Sequence, residues 1–251
     1  MWRERGARDD EADLPDHEIV TRPRARRVVL RVRCGAPLLV TVPPGFPRRR
    51  VASVVRDAAG WIARTQARVE AQAAELAIRA AQPPGPVIEL PGVGLRYRLL
   101  RRASGAAGVR AHERDDAVVL SGRVDDAAAC RAALRRWVRR VAARELPALA
   151  ASLADTNGCR PASIAVRWPR RRWGSCSARG SVGLSVDLVF LPRDLAISVI
   201  LHELAHLSVM NHSHAFRRRL EDLDPAFDAH RRELRQGRDH IPGWALPDAR
   251  P

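Results

Sequence analysis

The sequence predicts an α+β fold in which a β-rich amino-terminal region precedes a domain organised on one histidine-bearing helix. Apolar residues alternate with polar or charged ones along Val28-Leu30-Val32 and Ile164-Val166-Trp168, which is the period of half-buried strands. Over 48–81 and 125–153 the apolar spacing changes to that of amphipathic helices. The segment from Ile197 to Leu207 also reads as a helix, and it carries His202-Glu203-x-x-His206.

Taken in order, residues 1–21 mix charges of both signs without periodicity around Pro15 and read as a disordered lead-in. A hairpin follows, Arg26 to Val32 and Leu38 to Val42, turning at Gly35-Ala36-Pro37. Pro43-Pro44-Gly45-Phe46-Pro47 breaks the second strand, and Val51, Val54, Val55, Trp61, Ile62 and Val69 then mark one long helix over 48–81, with Gly60 as its weak point. Pro83-Pro84-Gly85-Pro86 ends that helix. Val87 to Leu90, Leu95 to Leu100 and Ala117 to Leu120 are short strands joined by glycine-containing turns. These elements make 22–124 a β-rich region with one long helix.

Asp125 or Asp126 caps the next helix, which runs through Cys130, Leu134, Trp137, Val138, Val141 and Ala142 toward Leu153 and should kink or break at Pro147. Asn157-Gly158 is a turn, Ser163 to Trp168 a half-buried strand, and Gly180 to Phe190 a hairpin-like pair following the basic Arg170-Arg171-Arg172. Pro192 ends the pair and Asp194 is placed to cap the histidine helix. Ala215 to Leu223 and Pro225 to Leu234 read as short helices. The expected metal-binding catalytic domain is 125–236, and 237–251 is a loose tail.

Composition narrows the classes of function. With 251 residues, 46% of them hydrophobic, the chain can bury a substantial core. The net charge is +16, and every basic residue is arginine, a field that favours anionic partners, including nonspecific contact with nucleic acid. Aromatic residues make up only 4%, so platforms for stacking bases are scarce. Cys34, Cys130, Cys159 and Cys176 form no C-x-x-C pair, and they fit reduced thiols better than a disulfide framework. There is neither a signal-peptide core in the first twenty residues nor an apolar run of about 18 residues, so the expectation is a cytoplasmic protein without a membrane span.

His202 and His206 lie one helical turn apart, so both imidazoles can reach one ion, with Glu203 beside them as general base. The apolar stripe Ile197, Ile200, Leu201, Leu204 and Leu207 would bury the helix without any metal. Ser198, His202 and His206 nevertheless form a separate polar row, which packing alone does not require. Catalytic zinc needs a third protein ligand. His212 and His214 both follow the helix, and a left-handed turn at Asn211 favours His212. His214, or an arginine such as Arg172, remains for contact with the substrate. Cys176 is not needed as a nucleophile where a metal supplies one.

Arg172-Trp173-Gly174-Ser175-Cys176-Ser177, Leu191-Pro192, His202-Glu203-Leu204-Ala205-His206-Leu207 and Asn211-His212-Ser213-x-x-Phe216 together resemble the YgjP-like metallopeptidase family, relatives of the SprT and WLM metalloproteases. Arg24-Ala25-Arg26-Arg27, Val42-Pro43-Pro44 and Trp61-Ile62 are similar to its amino-terminal region, so the resemblance spans about 22–236. It implies a zincin-like fold with zinc on His202, His206 and His212 and Glu203 as catalytic base. It also places Trp173-Gly174-Ser175-Cys176 near the active-site helix, where Trp173 would pack, Gly174 permit close approach and Cys176 be a buried thiol. This chain departs from the family pattern at Ser198, Ser185-Val186 and Arg217, where Tyr, Asn-Trp and Trp are common.

The expected activity is that of a zinc-dependent metallopeptidase acting on a peptide or protein. One rival keeps the metal and hydrolyses nucleotides or other phosphorylated compounds. The other is a nucleic-acid-associated protein with a structural or degenerate metal site.

Overall fold

Gly35, in the left-handed region at φ +62°, turns the chain from β2 (Val29–Arg33) into β3 (Ala36–Val42), and the expected hairpin forms. The computed structural model describes residues 14–169 and 172–246. It divides into two compact units between Arg79 and Ala80.

In the first unit, β1 (His17–Thr21) pairs parallel with β3, giving the order β1-β3-β2. This corrects the expected lead-in. His17 to Thr21 carries no strong pattern of its own, and it is held by pairing with β3 and by Ile19 against the core of Leu38, Val40, Val42, Val51, Val55 and Ile62. Residues 1–13 of that lead-in lie outside the described residues. The predicted helix over 48–81 is α1 (Val51–Asp57) and α2 (Ala59–Ala81), interrupted at Ala58 rather than at Gly60.

The second unit begins with β4 (Val87–Leu90), β5 (Leu95–Ala103), β6 (Val109–Arg114) and β7 (Ala117–Gly122), in the order β4-β5-β7-β6. Only Val109 and Ala111 of β6 point inward, too short an alternation to have been read as a strand. α3 (Ala127–Thr156) packs beneath this sheet, capped by Asp126, whose side chain accepts from the Ala129 N–H at 2.9 Å. It runs on through Pro147 without ending, because Leu146, Ala150 and Ala154 continue the buried face beyond it.

The buried face of α3 also explains why the chain divides at 79/80 and not at 124/125. Ile88, Leu90, Tyr97, Val118 and Leu120 of the sheet share one core with Leu134, Trp137, Val138 and Val141 of α3, so the sheet cannot belong with the preceding region. Trp137 is fully buried and meets Tyr97 edge-on at 5.2 Å. Truncation of such a side chain costs about 3–5 kcal/mol.

A third sheet, order β8-β10-β9, contains β8 (Ser163–Arg167), β9 (Gly174–Cys176) and β10 (Ser181–Ser185). The second half of the predicted hairpin-like pair is a 3₁₀ turn, Val186–Phe190, because the Ser185 hydroxyl accepts from the Asp187 N–H at 3.2 Å and bends the chain. α4 (Arg193–Ala205), α5 (His214–Leu223) and α6 (Phe227–Glu233) follow. The expected loose tail is folded as far as Leu246, since Ile241 and Trp244 are buried in the main core, and residues 247–251 lie outside the described residues. The described chain is thus α+β, with six α-helices and three small sheets.

Candidate metal centre

α4 follows Pro192, which occupies its N-cap position. Asp194 sits in the first turn, where it favours the helix dipole but does not cap it. Leu195, Ala196, Ile200 and Leu204 are buried on the core side, while Ser198, His202 and Glu203 turn toward a cavity of about 610 Å³. The helix ends at Ala205, and His206 is its C-cap.

The reversal after His206 is made by hydrogen-bonded turns, Leu207 N to Leu204 O at 3.0 Å and Val209 N to Ala205 O at 3.2 Å. Asn211 is not in the left-handed conformation: among the described residues only Asp115 is a non-glycine with positive φ. The turn nevertheless returns His212 to the helix. The side-chain donors of His202, His206 and His212 all lie within 4.8 Å of one another.

Three details make these imidazoles suitable for one metal ion. The Nε2 atoms of His202 and His212 are 3.3 Å apart, close to the ~3.3 Å edge of a tetrahedron with metal–nitrogen bonds of ~2.0–2.1 Å. His206 directs Nδ1 at the Val209 carbonyl, 3.1 Å away; donating there fixes its tautomer and leaves Nε2 free. Burial first, with electrostatic repulsion from His206, His212 and Arg231 against a protonated ring, holds the His202 pKa down to about 4. Burial also lowers that of His206, so both rings are neutral ligands near neutral pH.

Phe216 of α5 supports the cluster. Its ring stacks on His206 with centroids 4.4 Å apart and meets His202 and His212 edge-on at 5.0 and 4.8 Å. Itself buried against Ala205 and Leu220, it limits how far the rings can turn.

Glu203 is the next residue on α4, and β9 crosses directly over it. A Cβ added to Gly174 would stand 2.6 Å from both Cγ and Oε1 of Glu203, so only glycine allows the strand and the carboxylate to approach this closely. Burial pushes the Glu203 pKa up to about 7, against a smaller lowering by the charge of Arg172. Cys176 lies on the same strand, and its thiol pKa is raised by burial and by the Glu203 charge, which leaves it a poor nucleophile.

The remaining expected residues fall differently. His214 is the exposed first residue of α5 and lies outside the histidine cluster. Arg172 is exposed and does not line the cavity, and Arg170 and Arg171 lie outside the described residues.

The sequence reading overlooked a buried polar chain behind the metal-facing row. The Ser198 hydroxyl donates to Asp224 Oδ2 at 2.5 Å, and His230 Nδ1 donates to the same oxygen at 3.0 Å. Asp224 Oδ1 accepts from the Ala226 N–H at 3.2 Å. The only signals were Ser198 one turn before His202 and the turn-forming Asp224-Pro225.

Comparison with known protein families adds one match. The family model described as "YgjP-like, metallopeptidase domain" matches residues 26–237. The chain belongs to this YgjP-like family. The family name carries a metallopeptidase hydrolase and a metal ion, in keeping with a histidine cluster able to bind one. It points to a peptide or protein substrate and lends no support to a nucleotide or nucleic-acid partner. No curated protein and no solved structure matches the chain. Among the described residues no helix is long and apolar enough to cross a membrane.

Proposed function

We propose that the protein is a zinc-dependent metallopeptidase with a zincin-like active site, in which His202, His206 and His212 hold the ion and Glu203 is the general base. The observation that carries this reading is the convergence of three imidazoles whose ligand atoms lie within 4.8 Å of one another, two of them lining the same cavity as a buried carboxylate that has no hydrogen bond among the described residues. Three nitrogen donors with a remaining open position suit catalytic zinc better than the oxygen-seeking magnesium or calcium. When bound, zinc supplies Lewis-acid polarisation of the scissile carbonyl and makes water nucleophilic near neutral pH.

The chain's own residues supply the rest. Glu203 takes a proton from the attacking water and passes it to the leaving nitrogen, a task suited to a carboxyl poised near neutrality. Gly174 sets the position of that carboxylate by admitting β9 against it. Phe216 and the Val209 carbonyl hold the ligand rings in orientation. Cleavage of an unfolded protein by the zinc-loaded chain tests the reading. It should disappear with a chelator, return with zinc, and be absent in Glu203→Gln; cleavage undiminished in Glu203→Gln rules it out.

A further inference from the structure

α6 carries a row that the metal site does not use. Phe227 and Arg231 of α6 and its C-cap residue Leu234 recur at the spacing of one helix face, and all three line the same cavity as His202 and Glu203. The outer members are apolar and the middle one is a cation. Arg231 is exposed at the cavity, whose lining combines the polar His202, Glu203, His212 and Arg217 with the apolar Trp173, Val199, Phe216 and Leu220.

The two arginines on this cavity differ. Arg217 is neutralised: its guanidinium donates to Glu221 at 3.1 Å and Asp228 at 2.6 Å and lies 5.2 Å over the Phe227 ring. Arg231 makes no ion pair or hydrogen bond among the described residues. Its helix is tied to α4, because the preceding His230 is bound to Asp224, which accepts from Ser198 one turn before His202. The guanidinium therefore projects, free of competing carboxylates, from a helix joined to the metal-bearing helix, and its fork can pair with a planar anion in the cavity.

We propose that Arg231 is a specificity-determining residue that selects peptides bearing a carboxylate beside the scissile bond, either an acidic side chain or a free C-terminus, with Phe227 and Leu234 receiving the adjoining methylenes. The proposal rests on the peptidase reading and deepens it.

The test immobilises the zinc-loaded full chain carrying Glu203→Gln, so that substrate is held and not cut, and passes over it a random decapeptide library in free-acid and amidated halves. Ionic strength is kept at 0.15 M, where the field of the whole basic surface is screened beyond about 8 Å. The expected result is about 3- to 10-fold enrichment of carboxylate-bearing peptides. The enrichment should vanish when Arg231→Gln is added and persist with Arg217→Gln, while the melting temperature stays unchanged. A preference equal in the two halves assigns it to the side chain, and a preference confined to the free acids assigns it to the C-terminus.

No enrichment, or enrichment that survives Arg231→Gln, overturns the proposal. The unsubstituted zinc-loaded protein is scored for cleavage of the same library. Enrichment without cleavage upholds the selection and removes the peptidase reading; cleavage without enrichment does the reverse.

Discussion

Two glutamates in the same compact unit have been given opposite surroundings. Glu113 on β6 accepts from Trp137 Nε1 at 3.1 Å, Arg144 Nη2 at 3.2 Å and Tyr97 Oη at 3.3 Å. Its partial burial would raise its pKa, but hydrogen bonds from Arg144 and Trp137 outweigh that and leave it lowered. Glu203 on α4 is more deeply buried, and among the described residues no hydrogen bond compensates it, so its pKa rises to about 7. A satisfied carboxylate joins a strand to a helix. An unsatisfied one, on the helix that carries two of the three imidazoles, suits the general base of the proposed function.

Substitution of the two glutamates separates these roles most widely. Glu203→Gln is expected to lower peptide hydrolysis by about 10³-fold with metal content unchanged. Glu113→Ala is expected to leave the rate alone and lower stability by about 1–3 kcal/mol, because the buried Trp137 N–H loses its acceptor. Rate assays, metal analysis and denaturant titration of both variants check the pair.

pH sharpens the contrast in the metal-free protein. Glu203's folded value of about 7 lies above the ordinary 4.5, so the folded state binds more protons in that window. Stability is therefore lost as pH rises through it, by up to about 3 kcal/mol, and Glu203→Gln should flatten that slope. His202 slopes the other way, because its folded value of about 4 lies below 6.5 and stability is lost on acidification between them. Glu113, lowered, likewise loses its contribution only in acid. Unfolding curves of the chelated protein and of Glu203→Gln between pH 4 and 8 measure these slopes.

Gly174→Ala should move the Glu203 carboxylate while sparing the histidines, lowering kcat by about 10- to 100-fold with zinc retained. The smallest effect is expected of Cys176→Ser: its thiol pKa is raised and the strand needs only its backbone, so activity should stay within about 2-fold.

What could be read from the sequence was local. His202, Glu203 and His206 were visible because helix periodicity places them together, and His212 was favoured over His214 by the turn expected at Asn211 together with the family resemblance. The turn itself uses main-chain hydrogen bonds, not the left-handed Asn211. The approach of Gly174 to Glu203 and the Ser198–Asp224–His230 chain join separate segments, and no spacing rule encodes them. The same holds for the fold. β2, β3, β5, β7 and α3 announce their own period, whereas β1 exists through its pairing with β3 and β6 through two small inward residues. The boundary expected at 124/125 failed because α3 and the preceding sheet each lack a core without the other.

The central claim is that the three histidines hold a catalytic metal ion, and elemental analysis of the purified, zinc-loaded chain and its His206→Ala variant tests it most directly. The account predicts about one zinc ion per chain in the parent and a near-complete loss in the variant. Parent protein that retains no zinc, or a variant that retains as much as the parent, would contradict it.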